Sequence, residues 1–312
     1  MNAPILSVIV CTYNRANLLD NCLASLSEQD LNSELYEIIV VDNNSKDNTS
    51  DVVSKYMGND KNIRYVIEEN QGLSYARNRG SDEASSQYLV YIDDDAIAPP
   101  EYLSNILEII NRYDPDICGG PVYPYYTCEK PRWFKDEYEI RKYEETSGYS
   151  KTCRISGSNY VIKKPVLKEM GMFDPELGIR GEQIGLGEDA KVLNTYRNRT
   201  PESEQKVYYV LECYVRHYVP QFKMTIRYIM MRSYLSGRMS VITKKKKATH
   251  IFKNIIYIYN LMLGKVVSEI KSQGVAGADY IYVCSKQFFI LGLIIEWFHQ
   301  LFGKRAKFIS CL

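Results

Sequence analysis

The sequence predicts an α/β fold: a mostly parallel central sheet flanked by helices, followed by a helical C-terminal extension. Three observations carry that reading. Short apolar runs rich in Val and Ile alternate with segments whose apolar residues recur at helical spacing. The runs are nearly continuous in apolar residues, as strands covered on both faces must be. Polar clusters follow the runs directly, and open parallel sheets bind ligands at the carboxyl ends of their strands.

Leu6-Ser-Val-Ile-Val-Cys11 reads as the first strand and stops at Thr12-Tyr13-Asn14-Arg15. Residues 16–29 then place Leu18, Leu19, Cys22, Leu23 and Leu26 on one helical face. Glu37-Ile-Ile-Val-Val41 predicts a second strand, closed by Asp42-Asn-Asn-Ser45. A short helix over 51–57, a strand over 63–67 and a helix over 73–84 follow. Tyr88-Leu-Val-Tyr-Ile92 is a fourth strand ending in Asp93-Asp94-Asp95. After Pro99-Pro100 the pattern gives a helix over 101–112, then a Gly/Pro/Tyr stretch over 119–126. Residues 130–150 mix charge with aromatic rings and show no period. A strand over 158–162 and a helix over 164–170 lead to a loop carrying Gly178, Gly181, Gly185 and Gly187. A helix over 188–198 and a strand over 206–211 complete a domain of residues 1–222, with a ligand-binding half at 1–100 and a second half at 101–222. Residues 223–312 form the extension.

Composition narrows the classes. The 312 residues are 45% apolar and 25% charged, ordinary globular usage, which sets aside disordered, collagen-like and coiled-coil architectures. Lys+Arg number 39 against 38 Asp+Glu, so the total charge gives no sign of a nucleic-acid partner. That balance hides an asymmetry: residues 244–312 carry 11 Lys/Arg against 3 Asp/Glu, net +8, and the preceding residues carry 28 against 35, net −7. Tyrosine stands at 27 against 9 Phe, which suits surfaces half apolar and half wet. The eight cysteines form no CxxC and no zinc-spaced Cys/His set, so reduced, buried thiols of a cytosolic protein are expected. Residues 1–7 lack the charged and apolar regions of a signal peptide. A cytoplasmic location is the expectation.

In the extension, residues 224–242 interleave Arg and Lys with Met, Ile and Tyr, and Lys244-Lys-Lys-Lys247 is a charge run. Residues 251–270 and 280–302 predict apolar helices. In the second, the longest uncharged stretch, Gln287 to Ile295, falls short of the ~20 residues a bilayer span needs. Two readings stay open: peripheral membrane contact through residues 244–312 at the inner face of the plasma membrane, or a helix packed on the domain or in a homodimer contact.

The polar clusters define the chemistry. Three adjacent carboxylates repel one another and are best tolerated beside a cation. At a strand end, alternate residues point into one site, so Asp93 and Asp95 would face a divalent ion together, and hard oxygen ligands favour Mg²⁺ or Mn²⁺. A diphosphate is the natural partner of such an ion. A solvated acidic loop is the alternative. Glu188-Asp189 opens a helix after a glycine-rich loop; it suits a base for a hydroxyl, or simply acids favoured by the helix dipole.

In this order and spacing, Ser7-Val-Ile-Val-Cys-Thr-Tyr-Asn-Arg15, Glu37-Ile-Ile-Val-Val-Asp-Asn-Asn-Ser45, Gly72-Leu-Ser-Tyr-Ala-Arg-Asn-Arg-Gly80, Tyr91-Ile-Asp-Asp-Asp95, Gly157-Ser-Asn159 and Gly187-Glu-Asp189 resemble family 2 glycosyltransferases of the GT-A fold, over about residues 5–240. The resemblance implies roles by position. Thr12, Tyr13 and Arg15 line a base and ribose pocket, with Asp42 accepting from a base N–H and Asn44 beside it; a turn-capping Asp42 is the alternative. Gly72, Arg77 and Asn78 form the donor-contacting segment, Arg77 near the diphosphate or base, unless it is an exposed helical arginine. Asp93 and Asp94 contact the nucleotide sugar as part of a DxD motif, and Asp95 holds the metal. His217 resembles a late histidine completing the metal shell, against the alternative of a packed or exposed His. Asp189 is the expected catalytic base, Glu188 positions the acceptor or the base, and Trp133 stacks on an acceptor sugar or lies in the core.

The implied function is transfer of a sugar, of the hexosyl or N-acetylhexosaminyl class, from a nucleotide-diphosphate sugar, a UDP-sugar by default, to a glycan or lipid-linked acceptor. One metal-assisted displacement would invert the anomeric carbon, with the 178–187 loop closing over the donor. A nucleotidyltransferase is disfavoured because residues 5–20 hold neither Gly nor Lys. A dinucleotide oxidoreductase lacks its GxGxxG after the first strand. A non-catalytic sugar-nucleotide or glycan binding protein would keep Asp95 but would not need Glu188-Asp189.

Overall fold

The apolar runs pair as their composition dictates. In the computed structural model, β1 (Leu6–Thr12), β2 (Tyr36–Asp42), β3 (Ile63–Ile67) and β4 (Tyr88–Asp93) form a parallel sheet in the order β3-β2-β1-β4. The connections carry α1 (Ala16–Ser27), α2 (Thr49–Met57) and α3 (Leu73–Glu83). Successive strand residues face opposite sides, so the sheet feeds two cores. Val8, Val10, Ile38, Val40, Val90 and Ile92 meet Leu19 and Leu23 of α1 and Val52 of α2. Ile9, Ile39, Val41, Leu89 and Tyr91 pack on the other side with Ala76 of α3. Gly80 lets α3 lie close to the sheet, since a Cβ there would sit 2.4 Å from Ile9 Cγ2.

The structure describes residues 3–58, 62–181, 183, 185–243, 248–273 and 279–301. The Lys244–Lys247 run, Glu182 and Ile184 of the glycine-rich loop, and residues 302–312 lie outside them.

Beyond β4 the chain adds β5 (Ala96–Ile97), α4 (Tyr102–Tyr113), β6 (Ile117–Gly119), β7 (Val122–Tyr125), β8 (Gly148–Tyr149), β9 (Asn159–Lys163), α5 (Lys164–Glu169), α6 (Glu188–Arg199), β10 (Val207–Tyr209) and β11 (Val215–Tyr218). β9 pairs antiparallel with β4 and extends the sheet through β6, β10 and β8. β5, β11 and β7 make a separate three-stranded sheet. Strands of two to four residues are too short to show a period, which is why β5, β6, β7, β8 and β11 escape a reading of the sequence. His217 accordingly lies on a strand rather than after one.

The described chain divides into two units. The first comprises Met1–Thr127, Lys135–Gln183 and Glu188–Val219; the second comprises Cys128–Phe134, Ile184–Gly187 and Pro220–Leu312. A single boundary at 222 puts 128–134 and 184–187 with the first unit, whereas the structure groups them with the second.

The second unit is helical: α7 (Ile226–Ile242), α8 (Ala248–Gln273) and α9 (Tyr280–Leu301). Small residues let α7 and α9 cross with their backbones nearly touching. A Cβ on Gly237 would lie 2.0 Å from the Phe289 carbonyl oxygen, and one on Gly292 would lie 2.0 Å from that of Tyr234. Arg238, next to Gly237, and Glu296, one turn beyond Gly292, form a buried ion pair at 2.8 Å. The uncharged stretch within α9 is short, yet Tyr280–His299 as a whole is a 20-residue segment of mean hydropathy 1.5, long and apolar enough by length and composition alone to cross a membrane.

The glycine crossing sets a test. Gly237→Ala should lower unfolding free energy by about 1–3 kcal/mol through backbone overlap. Gly264→Ala, in α8 with nothing within 4 Å of the new Cβ, should instead raise it by ~0.4–1 kcal/mol. Urea melts of the two variants check both signs.

Candidate functional site

The site is built where β4 runs out. Asp94 and Asp95 form the turn from β4 to β5, so the acidic triplet joins the main sheet to the small one. β5 pairs antiparallel with β11 in the register Ala96↔His217, and Tyr218 N–H donates to the Asp95 carbonyl at 2.8 Å. This ladder delivers His217, more than a hundred residues downstream, beside the acids. Its Nε2 lies 3.1 Å from Asp95 Oδ1 and 3.6 Å from Asp93 Oδ2.

The imidazole is oriented by its other nitrogen. Nδ1 is 3.1 Å from the Tyr218 carbonyl, an atom that only accepts, so Nδ1 donates to it and Nε2 is turned toward the two carboxylates. Asp95 Oδ1 is buried without a hydrogen-bond donor. Two carboxylates gathered at one ring nitrogen need positive charge among them. Asp93, Asp95 and His217 offer ligand atoms all within 4.8 Å of one another, a set of two hard oxygens and an imidazole nitrogen that fits Mn²⁺ or Mg²⁺.

Asp94 is treated differently. Thr12 Oγ1 donates to its Oδ2 at 2.8 Å, and Arg15 Nη1 reaches Asp94 Oδ1 at 3.3 Å and Asp95 Oδ2 at 3.2 Å. Burial pushes the Asp94 carboxyl up to about 7, with Asp95 adding and Arg15 opposing. Thr12, Arg15 and Asp94, read from sequence as nucleotide contacts, therefore engage one another. Tyr13 is half-buried at the end of β1. Asp42 takes the capping role given as its alternative: Oδ1 accepts from Ser45 N–H at 2.8 Å and Oδ2 from Tyr65 Oη at 2.5 Å. Asn44 is exposed, with φ 67°. Its neighbour Asn43, overlooked in the sequence, is buried and pins the segment leading into α3. Its Oδ1 accepts from Gly72 N–H at 2.7 Å, and its Nδ2 donates to the Glu68 and Asn70 carbonyls.

Arg77 is not an exposed helical arginine. It is 3% exposed, with Nη1 2.6 Å from Glu188 Oε1 and Nη2 3.2 Å from both Asp93 Oδ1 and the Gly157 carbonyl. Burial opposes its charge, but Glu188 and Asp93 outweigh burial and hold the guanidinium above the ordinary arginine range. Asp93 is held well below the carboxylate range despite its own desolvation, by His217, Arg77 and Ser158. Burial and the neighbouring Asp189 push Glu188 up to about 7, against the pull of Arg77. Asp189 is partly exposed at the start of α6, and its Oδ2 accepts from Gly157 N–H at 2.7 Å. The carboxylate pair and the metal-type cluster therefore meet through one arginine. Asn78 faces elsewhere, exchanging hydrogen bonds with the Phe173 backbone.

Gly72 and the glycine-rich loop have φ values that side chains resist: Gly72 147°, Gly178 86° and Gly181 57°. Gly178 lies against Glu188, with its Cβ position 3.3 Å from Oε2. Trp133 belongs to the second unit, half-buried and edge-on to Phe134 at 5.6 Å. The acids described above are assembled within the first unit without it.

Comparison with known proteins agrees with this geometry. Residues 7–171, more than half of the chain, match the model of Glycosyl transferase family 2, and the chain belongs to that family. It is 26% identical over 278 residues to a glucosyl-dolichyl phosphate glucuronosyltransferase of Haloferax volcanii, covering 85% of this chain and 86% of the relative. It is 32% identical over 181 residues to a GalNAc(5)-diNAcBac-PP-undecaprenol beta-1,3-glucosyltransferase of Campylobacter jejuni, covering 55% of this chain and 56% of that one. Its fold is that of GT-A enzymes. A mannosyltransferase of Pyrobaculum calidifontis, solved with GDP-Man and Mn²⁺, superposes with TM-score 0.64 at 18% identity over 98% of this chain and 89% of its own. S. aureus TarS 1-349, solved with UDP-GlcNAc, gives 0.57 at 15% identity over 97% and 93%.

Removing the shared cation tests the arrangement. Arg77→Met keeps the volume but strands Glu188 and Asp93, and breaking a buried pair in this way should cost about 3–5 kcal/mol. Denaturant melts at neutral pH measure it; a variant as stable as the parent would contradict the pairing.

Proposed function

We propose that this family 2 glycosyltransferase moves a sugar from a nucleotide-diphosphate sugar, with UDP as the favoured carrier, to a hydroxyl of a lipid-linked or glycan acceptor by a single displacement with inversion. The observation that carries the reading is the junction of Asp93, Asp95 and His217 with Asp189 through Arg77 and Gly157. Asp93, Asp95 and His217 would hold the divalent ion, which when bound supplies positive charge against a departing diphosphate. Thr12, Tyr13, Arg15, Asp42 and Asn44 remain our assignment for the nucleotide side, at the carboxyl ends of β1 and β2.

Asp189 takes the proton. As the acceptor oxygen bonds to the anomeric carbon, the bond from that carbon to the diphosphate oxygen breaks and the hydroxyl proton passes to the Asp189 carboxylate. Accepting from Gly157 N–H leaves that carboxylate lone pairs to spare. Glu188 holds Arg77 rather than substrate, which keeps the base from collapsing onto the guanidinium. No second carboxylate is assigned as a nucleophile, so one displacement and inversion follow. Trp133 remains our assignment for an acceptor platform.

The lipid-linked acceptor is supported by the names of the two relatives and by the extension. On α8, Ile256, Tyr257, Leu261, Leu263 and Val267 are exposed, and the sequence places Lys244–Lys247 immediately before that helix. An apolar face beside a basic run fits the anionic inner face of a plasma membrane.

Two experiments test the proposal. Asp189→Asn should retain binding of the nucleotide sugar in a melting-shift assay and lose transfer by about 10²–10⁴-fold, the range expected for a general base; full turnover would end the assignment. The complete chain should float with vesicles containing anionic phospholipid, and replacing Lys244–Lys247 with Glu should abolish flotation. Failure of both to float would favour a contact between subunits for this surface.

A further inference from the structure

Of the motif Gly157-Ser-Asn159 the mechanism above uses only Gly157, yet the polar groups of the whole motif meet both halves of the site. Two consecutive residues are involved. Gly157 N–H donates to Asp189 Oδ2 at 2.7 Å, and Ser158 Oγ donates to Asp93 Oδ2 at 2.5 Å. One peptide link therefore separates the acid assigned as base from an acid of the metal-type cluster. The Gly157 carbonyl is itself held by Arg77 Nη2 at 3.2 Å.

The turn has little freedom to move. Asn159 N–H closes it on the Ser156 carbonyl at 2.9 Å. The Asn159 side chain is fully buried, donating to the Pro121 and Cys213 carbonyls and accepting from Tyr102 Oη at 2.9 Å. Its backbone stands opposite Ile92 in the ladder between β9 and β4. Arg141 Nη1 donates to both Ser156 Oγ and Ser158 Oγ, at 3.0 and 3.1 Å. With its lone pair engaged by Arg141, the Ser158 hydroxyl is left to direct its single proton at Asp93. Glycine is required at 157 because a Cβ there would lie 2.8 Å from Arg77 Nη2 and 3.0 Å from Nη1.

We propose that the 156–159 turn sets the distance between the acceptor-activating acid and the donor-side acids, with Gly157 and Ser158 as positioning residues for transfer. This rests on Asp189 being the base. The physical reason is that in-line displacement needs the base and the leaving diphosphate on opposite sides of one carbon, and misplacement by an ångström or less costs orders of magnitude in rate. A spacer anchored on the sheet fixes that separation before substrate arrives. It acts on both acids through neutral donors that remain in place whatever the substrate.

The test uses the full chain with three variants, steady-state kinetics, Mn²⁺ titration by electron paramagnetic resonance without substrate, and thermal melting. Gly157→Ala, whose new Cβ meets Arg77, should lower kcat by about 10- to 100-fold, a larger fall than in Mn²⁺ binding, because the Gly157 N–H holds Asp189. Ser158→Ala deletes only a hydroxyl and should both lower kcat and weaken Mn²⁺ binding by about 10-fold; Ser158→Thr, which keeps Oγ, should restore both. Folded variants with parental kcat would overturn the proposal. So would losses of kcat and Mn²⁺ binding that run in parallel in both variants and track the melting temperature, as a purely structural turn predicts. Asp189→Asn in the same series separates the premise: if that variant turns over fully, the base assignment fails, whereas its loss of transfer beside unaffected Gly157→Ala and Ser158→Ala overturns the spacer alone.

Discussion

Negative charge crowded at the end of one strand is the constraint on which the rest of this structure depends. Asp93, Asp94 and Asp95 are consecutive, and Glu188 and Asp189 are brought to the same region. Desolvated carboxylates at such separations would repel by several kcal/mol each if uncompensated. The chain answers with charges of different kinds. Arg77, always protonated and wholly enclosed, binds Glu188 to Asp93. Arg15 covers Asp94 and Asp95 from the more open side. At Asp95 the compensation is left incomplete, since one of its buried carboxylate oxygens has no hydrogen-bond donor. An incompletely neutralised acid cluster of this kind suits a bound cation.

The fold makes this arrangement by changing sheets. The parallel β3-β2-β1-β4 half ends in a turn that feeds directly into a second, three-stranded sheet. Because β11, the last strand of the first unit, is the middle strand of that second sheet and pairs with β5, a late histidine and an early acidic turn become neighbours. The antiparallel β9 does the complementary job on the other side of β4, bringing the 156–159 turn to Asp93. Family membership and the shared GT-A architecture place this chain among enzymes that use nucleotide-sugar donors, and the charge arrangement gives that placement a physical basis in its own residues.

The second unit follows another logic. α7 and α9 are joined by reciprocal glycines and by a buried Arg238–Glu296 pair, features that trade side-chain volume for close backbone approach. α8 contributes to the small core of Val241, Ile251 and Leu293, yet leaves much of its apolar surface uncovered.

The sequence alone determined the elements with a period long enough to register: the four parallel strands, their helices and the apolar extension, with boundaries within a few residues. It also determined which residue types stand at the strand ends, because the carboxyl ends of buried strands are where polar residues interrupt apolar runs. Only the tertiary structure decided how those residues are used. Asp42 caps a turn while Asn43, one position along, holds the loop to α3; Thr12 and Arg15 turn toward Asp94; Arg77 is enclosed rather than exposed. The reason is that most of these contacts join residues distant in the chain, which strand pairing brings together and no local periodicity encodes. His217 illustrates the limit: its identity was visible from the start, but its function as a neighbour of Asp93 and Asp95 exists only because β5 and β11 pair in one register rather than another.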